Sequence, residues 1–345
     1  KLGQSDISIG GWAIENRLYA EDPYRNFLPS IGRLTRYRPP SEFQSSEYIV
    51  RNDTGVFEGG EISMYYDPMI AKLCTWAPTR SEAIAHMRKA LDGFEVEGIG
   101  HNLPFLSAVM DHPRFIKGDI TTAFIEEEYP EGFIGVELPE SELLRIAASC
   151  AAMNRVAEIR RTKISGRMDN HERRVGDNWV VTLQNNKYEL NIVADQLGST
   201  VRFEDGLRIR VEGSWTPGDQ LANMLVDDTR LTMKVGKITG GFRIRNCGAD
   251  LKVLVRSKLQ SELAQYMIKK DPPDTSKILM CPMPGLIVKI DVEVGDLVQE
   301  GQALCTVEAM KMENILRAER ATRVKKINAN AGDSLAVDET IMEFE

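Results

Sequence analysis

Apolar and polar positions alternate in three different ways along the chain, and each way predicts a different kind of domain. Residues 1–128 mix strand-like and helix-like stretches. GGWAIENRLYAEDP predicts a strand that ends at Pro23, and PTRSEAIAHMRKALDGF predicts a helix that begins with a capping box of Thr79 and Glu82. Four apolar residues of that helix recur at helical spacing and are expected to pack into a core: Ile84, Met87, Leu91 and Phe94.

The second pattern occupies residues 129–268 and combines one unusual helix with many short strands. The stretch SELLRIAASCAAMNRVAEIRR has almost no polar face between residues 141 and 153, so other structure must surround this helix. From Trp179 to Val255 short alternating segments are separated by turns, as in an antiparallel meander: WVVTLQ, YELNIVA, VRFE, LRIRVEG, TRLTMKVG, GFRIRNC and LKVLVR. The simplest architecture wraps this sheet around the helix as a barrel, and the pattern leaves the number of strands open.

The third pattern is an internal repeat in residues 278–345, which follow a polar, proline-containing linker at residues 269–277. At full stretch these nine linker residues reach about 30 Å. GLIVKIDVEVGDLVQEGQALCTVE aligns with ATRVKKINANAGDSLAVDETIMEFE at an offset of 37, and the Gly-Asp turns at 295–296 and 332–333 coincide. Two related sets of strands predict a β-sandwich with a pseudo-twofold axis.

Composition narrows the function classes. The net charge of −8 and the pI of about 5.3 argue against a general nucleic-acid binder, and no segment has the length and apolarity of a membrane span. Five widely spaced cysteines without a C-x-x-C pair predict neither a disulfide framework nor a zinc site, and the four histidines share no metal-ligand spacing. Free thiols fit the bacterial cytoplasm or the mitochondrial matrix, and we favour the cytoplasm.

The sequence VEAMKMENI places Lys311 between Met310 and Met312, where the two halves of the repeat join in a predicted hairpin. With the upstream PMPG at residues 282–285, this AMKM tetrad closely resembles the biotin carboxyl carrier domain of biotin-dependent carboxylases. The resemblance implies a biotinyl/lipoyl-type sandwich in which Lys311 carries biotin in amide linkage. It also implies that Met310 and Met312 serve recognition by a biotin protein ligase and cover part of the biotin.

The remainder of the chain resembles the same family. Residues 12–73, with AEDP and YYDPMIAKL, resemble the C-terminal subdomain of biotin carboxylase, and the middle region resembles the domain that joins the α to the β subunit in propionyl-CoA carboxylase. The implied fold is multidomain α+β. By the same resemblance, Arg51 lies beside the ureido ring of biotin and stabilises negative charge on its oxygen. Phe27 matches a position that contacts biotin, although an aromatic residue there fits a core equally well.

The resemblance implies a reaction in two halves. ATP, Mg²⁺ and bicarbonate carboxylate biotin on Lys311, and a carboxyltransferase β subunit then passes the carboxyl group to propionyl-CoA. The ATP-grasp residues that bind ATP and metal have no counterpart in this sequence, so we expect this chain alone to be inactive in biotin carboxylation. Further α subunits are expected in a hetero-oligomer. A methylcrotonyl-CoA carboxylase α subunit and a non-catalytic biotin carrier or assembly adapter remain the alternatives.

Overall fold

The computed structural model of the chain describes residues 3–63, 66–163, 165, 174–184, 186–267, 277–309 and 312–345. Its three largest buried clusters of apolar side chains fall in three successive stretches of the chain. They correspond to a mixed sheet-and-helix unit, a barrel around a helix, and a small sandwich. The expected fold class is confirmed, and strands outweigh helices in it.

The first unit is built on an antiparallel sheet with the strand order β1-β9-β7-β6. Its strands are β1 (Trp12–Tyr19), β2 (Glu21–Asp22), β3 (Leu28–Pro29), β4 (Gly32–Arg33), β5 (Arg36–Arg38), β6 (Phe43–Gln44), β7 (Ile49–Thr54), β8 (Glu61–Ile62), β9 (Met69–Ala77) and β10 (Glu95–Glu97). Its helices are α1 (Arg80–Asp92), α2 (Leu103–Asp111), α3 (Pro113–Lys117) and α4 (Phe124–Glu128). Short 3₁₀ turns occupy Gln4–Asp6 and Pro23–Arg25.

Helix α1 covers one face of this sheet and begins where the sequence predicts. The hydroxyl of Thr79 accepts a hydrogen bond from the Glu82 backbone N–H at 3.3 Å, and the Glu82 carboxylate accepts from the Thr79 N–H at 3.1 Å. This capping box satisfies two N–H groups that a helix start leaves unpaired. The four predicted core residues of the stretch are all buried. Because α1 contacts β1, β7 and β9, the opposite face of the sheet remains exposed.

The second unit is a closed antiparallel barrel of eight strands. They are β11 (Asn178–Leu183), β12 (Asn186–Ala194), β13 (Ser199–Phe203), β14 (Arg208–Gly213), β15 (Leu221–Val226), β16 (Thr229–Ile238), β17 (Gly241–Asn246) and β18 (Ala249–Arg256). The sequence segments named above account for seven of these strands, and β15 was missed. Ala222 and Asn223 have low strand propensity, yet Ala222, Met224 and Val226 alternate inward and are buried.

Helix α5 (Glu140–Thr162) supplies the core of the barrel, as its nearly all-apolar composition predicts. It contacts β11, β12, β13, β14, β15, β17 and β18, so barrel strands surround it. Small side chains such as Ala147, Ala148 and Ala151 are completely buried and let the strands approach the helix closely. The barrel is followed by α6 (Lys258–Leu263) and a 3₁₀ turn at Ala264–Tyr266.

The third unit is the predicted two-sheet sandwich, with strand orders β19-β26-β24-β21 and β23-β22-β20-β25. Its strands are β19 (Ile278–Met280), β20 (Gly285–Ile290), β21 (Leu297–Val298), β22 (Ala303–Ala309), β23 (Met312–Arg317), β24 (Thr322–Ile327), β25 (Ser334–Leu335) and β26 (Thr340–Phe344). The offset of 37 maps β20, β21 and β22 of one half onto β24, β25 and β26 of the other. Gly295 and Gly332 both have positive φ, +99° and +93°, so both turns require glycine.

Candidate functional site

The predicted modification site falls in sequence between strands β22 and β23 of the sandwich. Strands β22 and β23 pair in register, with Glu308 opposite Glu313 and Ala309 opposite Met312. Met310 and Lys311 fall outside the described residues, as does the side chain of Met312. The pairing of Ala309 with Met312 leaves two residues, 310 and 311, to connect the strands. A hairpin end carries a side chain away from the sheet, which an acceptor amine for a bulky cofactor needs.

Residues 282–285 pack against this hairpin close to the end where its strands connect. A side chain at Gly285 would lie 2.6 Å from the Glu308 carbonyl oxygen and 2.7 Å from Val307 Cγ1, so only glycine permits this close approach. Met283 is buried, and its sulfur accepts a contact from the Asn314 side-chain amide at 3.7 Å. The PMPG sequence is thus a packing element of the hairpin.

Arg51 lies on β7, on the exposed face of the first sheet. Its Nη2 donates to the Asp53 carboxylate at 2.8 Å, and this hydrogen bond raises the pKa of the arginine. The residue opposite Arg51 on the neighbouring strand is Cys74, and Glu15 stands on the far side of Cys74. Burial is the main reason that the pKa of Cys74 is raised, so this thiol is not an activated nucleophile.

A second arginine, Arg17, lies on the same exposed face and was not selected from the sequence. Its Nε donates to the Glu15 carboxylate at 2.9 Å, and Lys72 lies opposite it on β9. Lys72 in turn lies opposite Asp53 on β7. The face therefore presents three cations and two carboxylates on three adjacent strands. Arg17 is two residues from Glu15 on β1, and residues two apart on a strand lie on the same face. This spacing is the signal that could have identified Arg17 from the sequence.

Phe27 packs within a cluster of aromatic rings, as expected if the residue belongs to a core. Its ring lies 4.9 Å from the Phe105 ring in an edge-on arrangement, and Phe133 packs on the same ring of Phe105. The backbone of Phe27 has a φ of +58°, which bulky residues rarely adopt. The packing is favourable for a core role, and a contact with biotin stays a prediction.

The first unit and the barrel are held together by a partly buried polar cluster that we call the joint: Asp92, Lys234 and Cys247. The Lys234 ammonium donates to the Leu91 carbonyl oxygen at 2.8 Å, at the C-terminal end of α1, where a helix attracts positive charge. The Asp92 carboxylate accepts from the Cys247 backbone N–H at 3.0 Å. Burial lowers the pKa of Lys234 to about 8 and raises the pKa of Asp92, with the two opposite charges partly offsetting both effects.

The barrel turn at residues 246–249 inserts into the first unit beside the joint. Cys247 and Gly248 both have positive φ, as a two-residue hairpin turn between paired Asn246 and Ala249 requires. A side chain at Gly248 would lie 2.7 Å from the Pro104 carbonyl oxygen of α2. The two units therefore meet backbone against backbone at this turn.

His101 contributes a neutral ring to the same interface. Burial is the main cause that lowers its pKa to about 3, and the positive charge of Lys234 acts in the same direction. The imidazole is therefore uncharged at neutral pH, and its buried Nδ1 has no hydrogen-bond partner within the described residues. This histidine cannot act as a physiological pH switch here.

Other classes of site find no support in the part of the chain that the structure describes. No group of three or more histidine, cysteine, aspartate or glutamate residues there is arranged to hold a metal ion. None of its helices has the length and apolarity needed to cross a membrane. The five cysteines are free, and burial raises the pKa of Cys305 to about 12, which keeps that thiol protonated.

Comparison with known proteins matches each unit to a known domain. Residues 15–127 match the biotin carboxylase C-terminal domain, residues 146–270 match the propionyl-coenzyme A carboxylase BT domain, and residues 277–344 match a family described as biotin-requiring enzyme. A propionyl-CoA carboxylase alpha chain of Ruegeria pomeroyi is 71% identical over 100% of this chain and 53% of its own length. Over its whole length the chain is therefore similar to propionyl-CoA carboxylase alpha chains.

More distant relatives agree with this assignment. The mitochondrial propionyl-CoA carboxylase alpha chain of Mus musculus is 38% identical over 99% of this chain and 47% of its own length. The mitochondrial methylcrotonoyl-CoA carboxylase subunit alpha of Dictyostelium discoideum is 28% identical over 99% of this chain and 49% of its own length. The chain spans about half the length of the curated relatives it matches.

The lowered pKa of Lys234 predicts a specific pH dependence of stability. Between pH 8 and pH 10.5 the unfolded chain still holds a proton on Lys234 that the folded chain has released. The folded form therefore gains stability as the pH rises through this window, by no more than about 3 kcal/mol in total. Lys234→Met removes the titration. As the pH rises from 8 to 10.5, the unfolding free energy of the wild type should therefore increase relative to that of this variant.

Urea unfolding of both proteins across that pH range measures the difference. Lys237→Met, at an exposed lysine of the same strand, is the matched control and should show no such shift. A constant difference between wild type and Lys234→Met would mean that the ammonium is not buried in the joint.

Proposed function

We propose that this chain is the biotin-carrying part of an acyl-CoA carboxylase α subunit. Biotin attached to Lys311 is carboxylated with ATP and bicarbonate and then delivers its carboxyl group to propionyl-CoA on a β subunit, which yields methylmalonyl-CoA. The observation that carries the proposal is the pairing of β22 with β23 up to Ala309 and Met312, the residues that flank positions 310 and 311, in a two-sheet sandwich that matches the biotin-requiring enzyme family. The match of the barrel to the propionyl-coenzyme A carboxylase BT domain supports the choice of substrate.

The units take separate roles in this proposal. Residues 1–128 form the C-terminal subdomain of the biotin carboxylase, residues 129–268 bind the carboxyltransferase β subunit, residues 269–277 link, and residues 278–345 carry biotin. Met310 and Met312 serve recognition by a biotin protein ligase and cover the biotin. ATP and Mg²⁺ bind elsewhere in the holoenzyme, and further α subunits complete it. We place the complex in the cytoplasm or the mitochondrial matrix, where free thiols persist.

The exposed sheet face is proposed to meet the biotin ring during carboxylation. When biotin N1 becomes a nucleophile, negative charge develops on the ureido oxygen, and a fixed guanidinium stabilises it. The sequence predicts this role for Arg51 on β7, and Arg17 offers the same group on the edge strand β1, with β9 between the two strands. Both guanidinium groups are exposed and hydrogen-bonded to a carboxylate of their own strand. We therefore assign stabilisation of the ureido oxygen to this sheet face as a whole and do not choose between Arg51 and Arg17.

Two other functions are weighed against this one. A methylcrotonyl-CoA carboxylase α subunit would use the same units. The Dictyostelium methylcrotonoyl-CoA carboxylase subunit is only 28% identical to this chain, however, whereas the Ruegeria propionyl-CoA carboxylase chain is 71% identical. A non-catalytic carrier would need only the sandwich. The barrel and the joint, with their extensive buried contacts, favour a subunit that must also hold a partner and a carboxylase.

The first prediction for this function concerns the modified residue. Coexpression with a biotin protein ligase should increase the intact mass of the chain by one biotinyl group, and Lys311→Arg should abolish the increase because a guanidinium is not an acceptor in this acylation. Lys289→Arg, an exposed lysine of the same sandwich, should leave it unchanged. A biotinylated Lys311→Arg variant, or an unmodified wild type, contradicts the assignment.

The second prediction concerns the arginine face. In an α chain that includes an ATP-grasp part, Arg51→Ala and Arg17→Ala are measured for carboxylation of free biotin at saturating ATP and bicarbonate. Loss of the guanidinium that faces the ring should lower kcat by about 10²-fold. Arg33→Ala, an exposed arginine on β4, serves as the control. Wild-type kcat in both variants would exclude this face from the reaction.

The third prediction concerns the acyl-CoA. The α chain should capture a carboxyltransferase β subunit, and the reconstituted holoenzyme should have a higher kcat/KM for propionyl-CoA than for 3-methylcrotonyl-CoA. The reverse preference would assign the chain to the methylcrotonyl-CoA enzyme. Failure to bind either β subunit would favour the non-catalytic carrier.

A further inference from the structure

Among the described residues, the sandwich touches the first unit at a polar contact that similarity to known proteins does not explain. The guanidinium Nη2 of Arg25 donates to the backbone carbonyl oxygen of Pro282 at 2.6 Å. Pro282 is the first residue of the PMPG loop, residues 282–285, which we call the carrier loop. The contact joins the carboxylase part and the proposed carrier across 257 positions of the sequence.

Arg25 is presented by a rigid turn. It ends the 3₁₀ turn Pro23–Arg25, whose start is capped by the Asp22 carboxylate accepting from the Tyr24 backbone N–H at 3.0 Å. Asn26 follows in the left-handed conformation with a φ of +53°, which reverses the chain. The side chain of Arg25 itself is solvent-exposed. A fixed backbone thus carries an accessible cation.

The carrier loop is equally well fixed on its own side. Pro282 and Pro284 have no backbone N–H, so the loop cannot continue the hydrogen-bond ladder of the sandwich. The Cys281 thiol donates to the Met283 carbonyl oxygen at 2.9 Å, and the Cys281 N–H donates to the Glu339 carbonyl oxygen at 2.8 Å. The Pro282 carbonyl is therefore held in one orientation, where a cation can recognise it.

The contact is small and loosely packed around its hydrogen bond. A cleft of about 230 Å³ separates the two surfaces, with Pro29, Ser30 and Ile31 on one side and Pro284 and Val337 on the other. An interface of this kind is weak compared with stable interfaces, which bury large, closely packed areas. Weakness suits a domain that must leave after each visit, because the linker already keeps it at high local concentration.

The carrier loop is also coupled to the hairpin that bears the modified residue. Met283 contacts Asn314 of β23, and Gly285 packs directly on Glu308 of β22. A force or restraint on the loop is therefore transmitted to both strands of the hairpin. Docking through the Pro282 carbonyl would orient the hairpin as well as hold the domain.

We propose that Arg25 and the carrier loop form a docking contact that holds the carrier domain of the same chain on the carboxylase part during biotin carboxylation. The inference rests on the proposed function. Arg25 acts here as a positioning residue: it binds the carrier and does not touch the biotin ring. Its effect should therefore appear only when the biotin is attached to the carrier.

The test compares tethered with free biotin in an α chain that includes an ATP-grasp part. Arg25→Ala should lower the single-turnover rate of carboxylation of the biotinylated carrier roughly tenfold, the effect of losing one hydrogen bond to a charged donor. Carboxylation of free biotin should keep its wild-type rate. Arg25→Lys keeps a cationic donor and should recover part of the loss, and Arg33→Ala should change neither rate.

Each outcome decides the proposal. A loss confined to tethered biotin, with partial recovery in Arg25→Lys, supports it. Equal losses with tethered and free biotin would show that Arg25 serves the fold or the chemistry, and unchanged rates would show that the contact has no function; either result overturns the docking role. A wild-type α chain that carboxylates neither form of biotin would instead refute the proposed function itself.

Discussion

The enclosure of α5 by the barrel is the constraint on which the arrangement of the other units depends. A helix that is apolar on nearly every side cannot face water, and eight antiparallel strands closed on themselves cover it without leaving a sheet edge unpaired. Closure fixes where each hairpin turn of the barrel projects. The turn at residues 246–249 projects from the barrel towards α2. The side chain of Lys234 on β16 projects towards α1. The core of one unit thus determines where the next unit can attach.

The two attachments to the first unit differ in physical character. At the joint, a carboxylate and an ammonium are partly withdrawn from water, and removing one charge would leave the other without the attraction that offsets part of its burial. Backbone atoms also meet there, at Gly248. The carrier contact instead rests on one exposed guanidinium and one carbonyl oxygen. The chain therefore combines a connection that resists separation with one that separates readily, as expected if a rigid platform serves a domain that moves between sites.

Local sequence patterns predicted the elements better than the contacts between them. The capping box at Thr79, the apolar helix and the 37-residue repeat are periodic signals, and each specifies a structure through nearby residues alone. Strand β15 escaped because Ala222 and Asn223 are weak strand formers, and only the closed barrel stabilises the inward position of Ala222. The joint and the contact of Arg25 with Pro282 connect residues more than a hundred positions apart, and no periodicity encodes such a meeting. Lys311 could be selected by resemblance, whereas its surroundings lie partly outside the described residues.

The charge pattern of the sheet face explains how an arginine can form an ion pair with a carboxylate and still be free to bind another anion. Arg51 and Arg17 each donate to a carboxylate of their own strand, and all four side chains are substantially exposed. Ion pairs in water contribute little stability, because solvent screens the attraction and ordering the side chains costs entropy. In the proposed reaction, exchanging Asp53 or Glu15 for a developing oxyanion would therefore cost little, and the carboxylates would keep the guanidinium groups oriented until the biotin ring arrives. Water excluded by the incoming carrier would then strengthen the new interaction at the moment when charge develops.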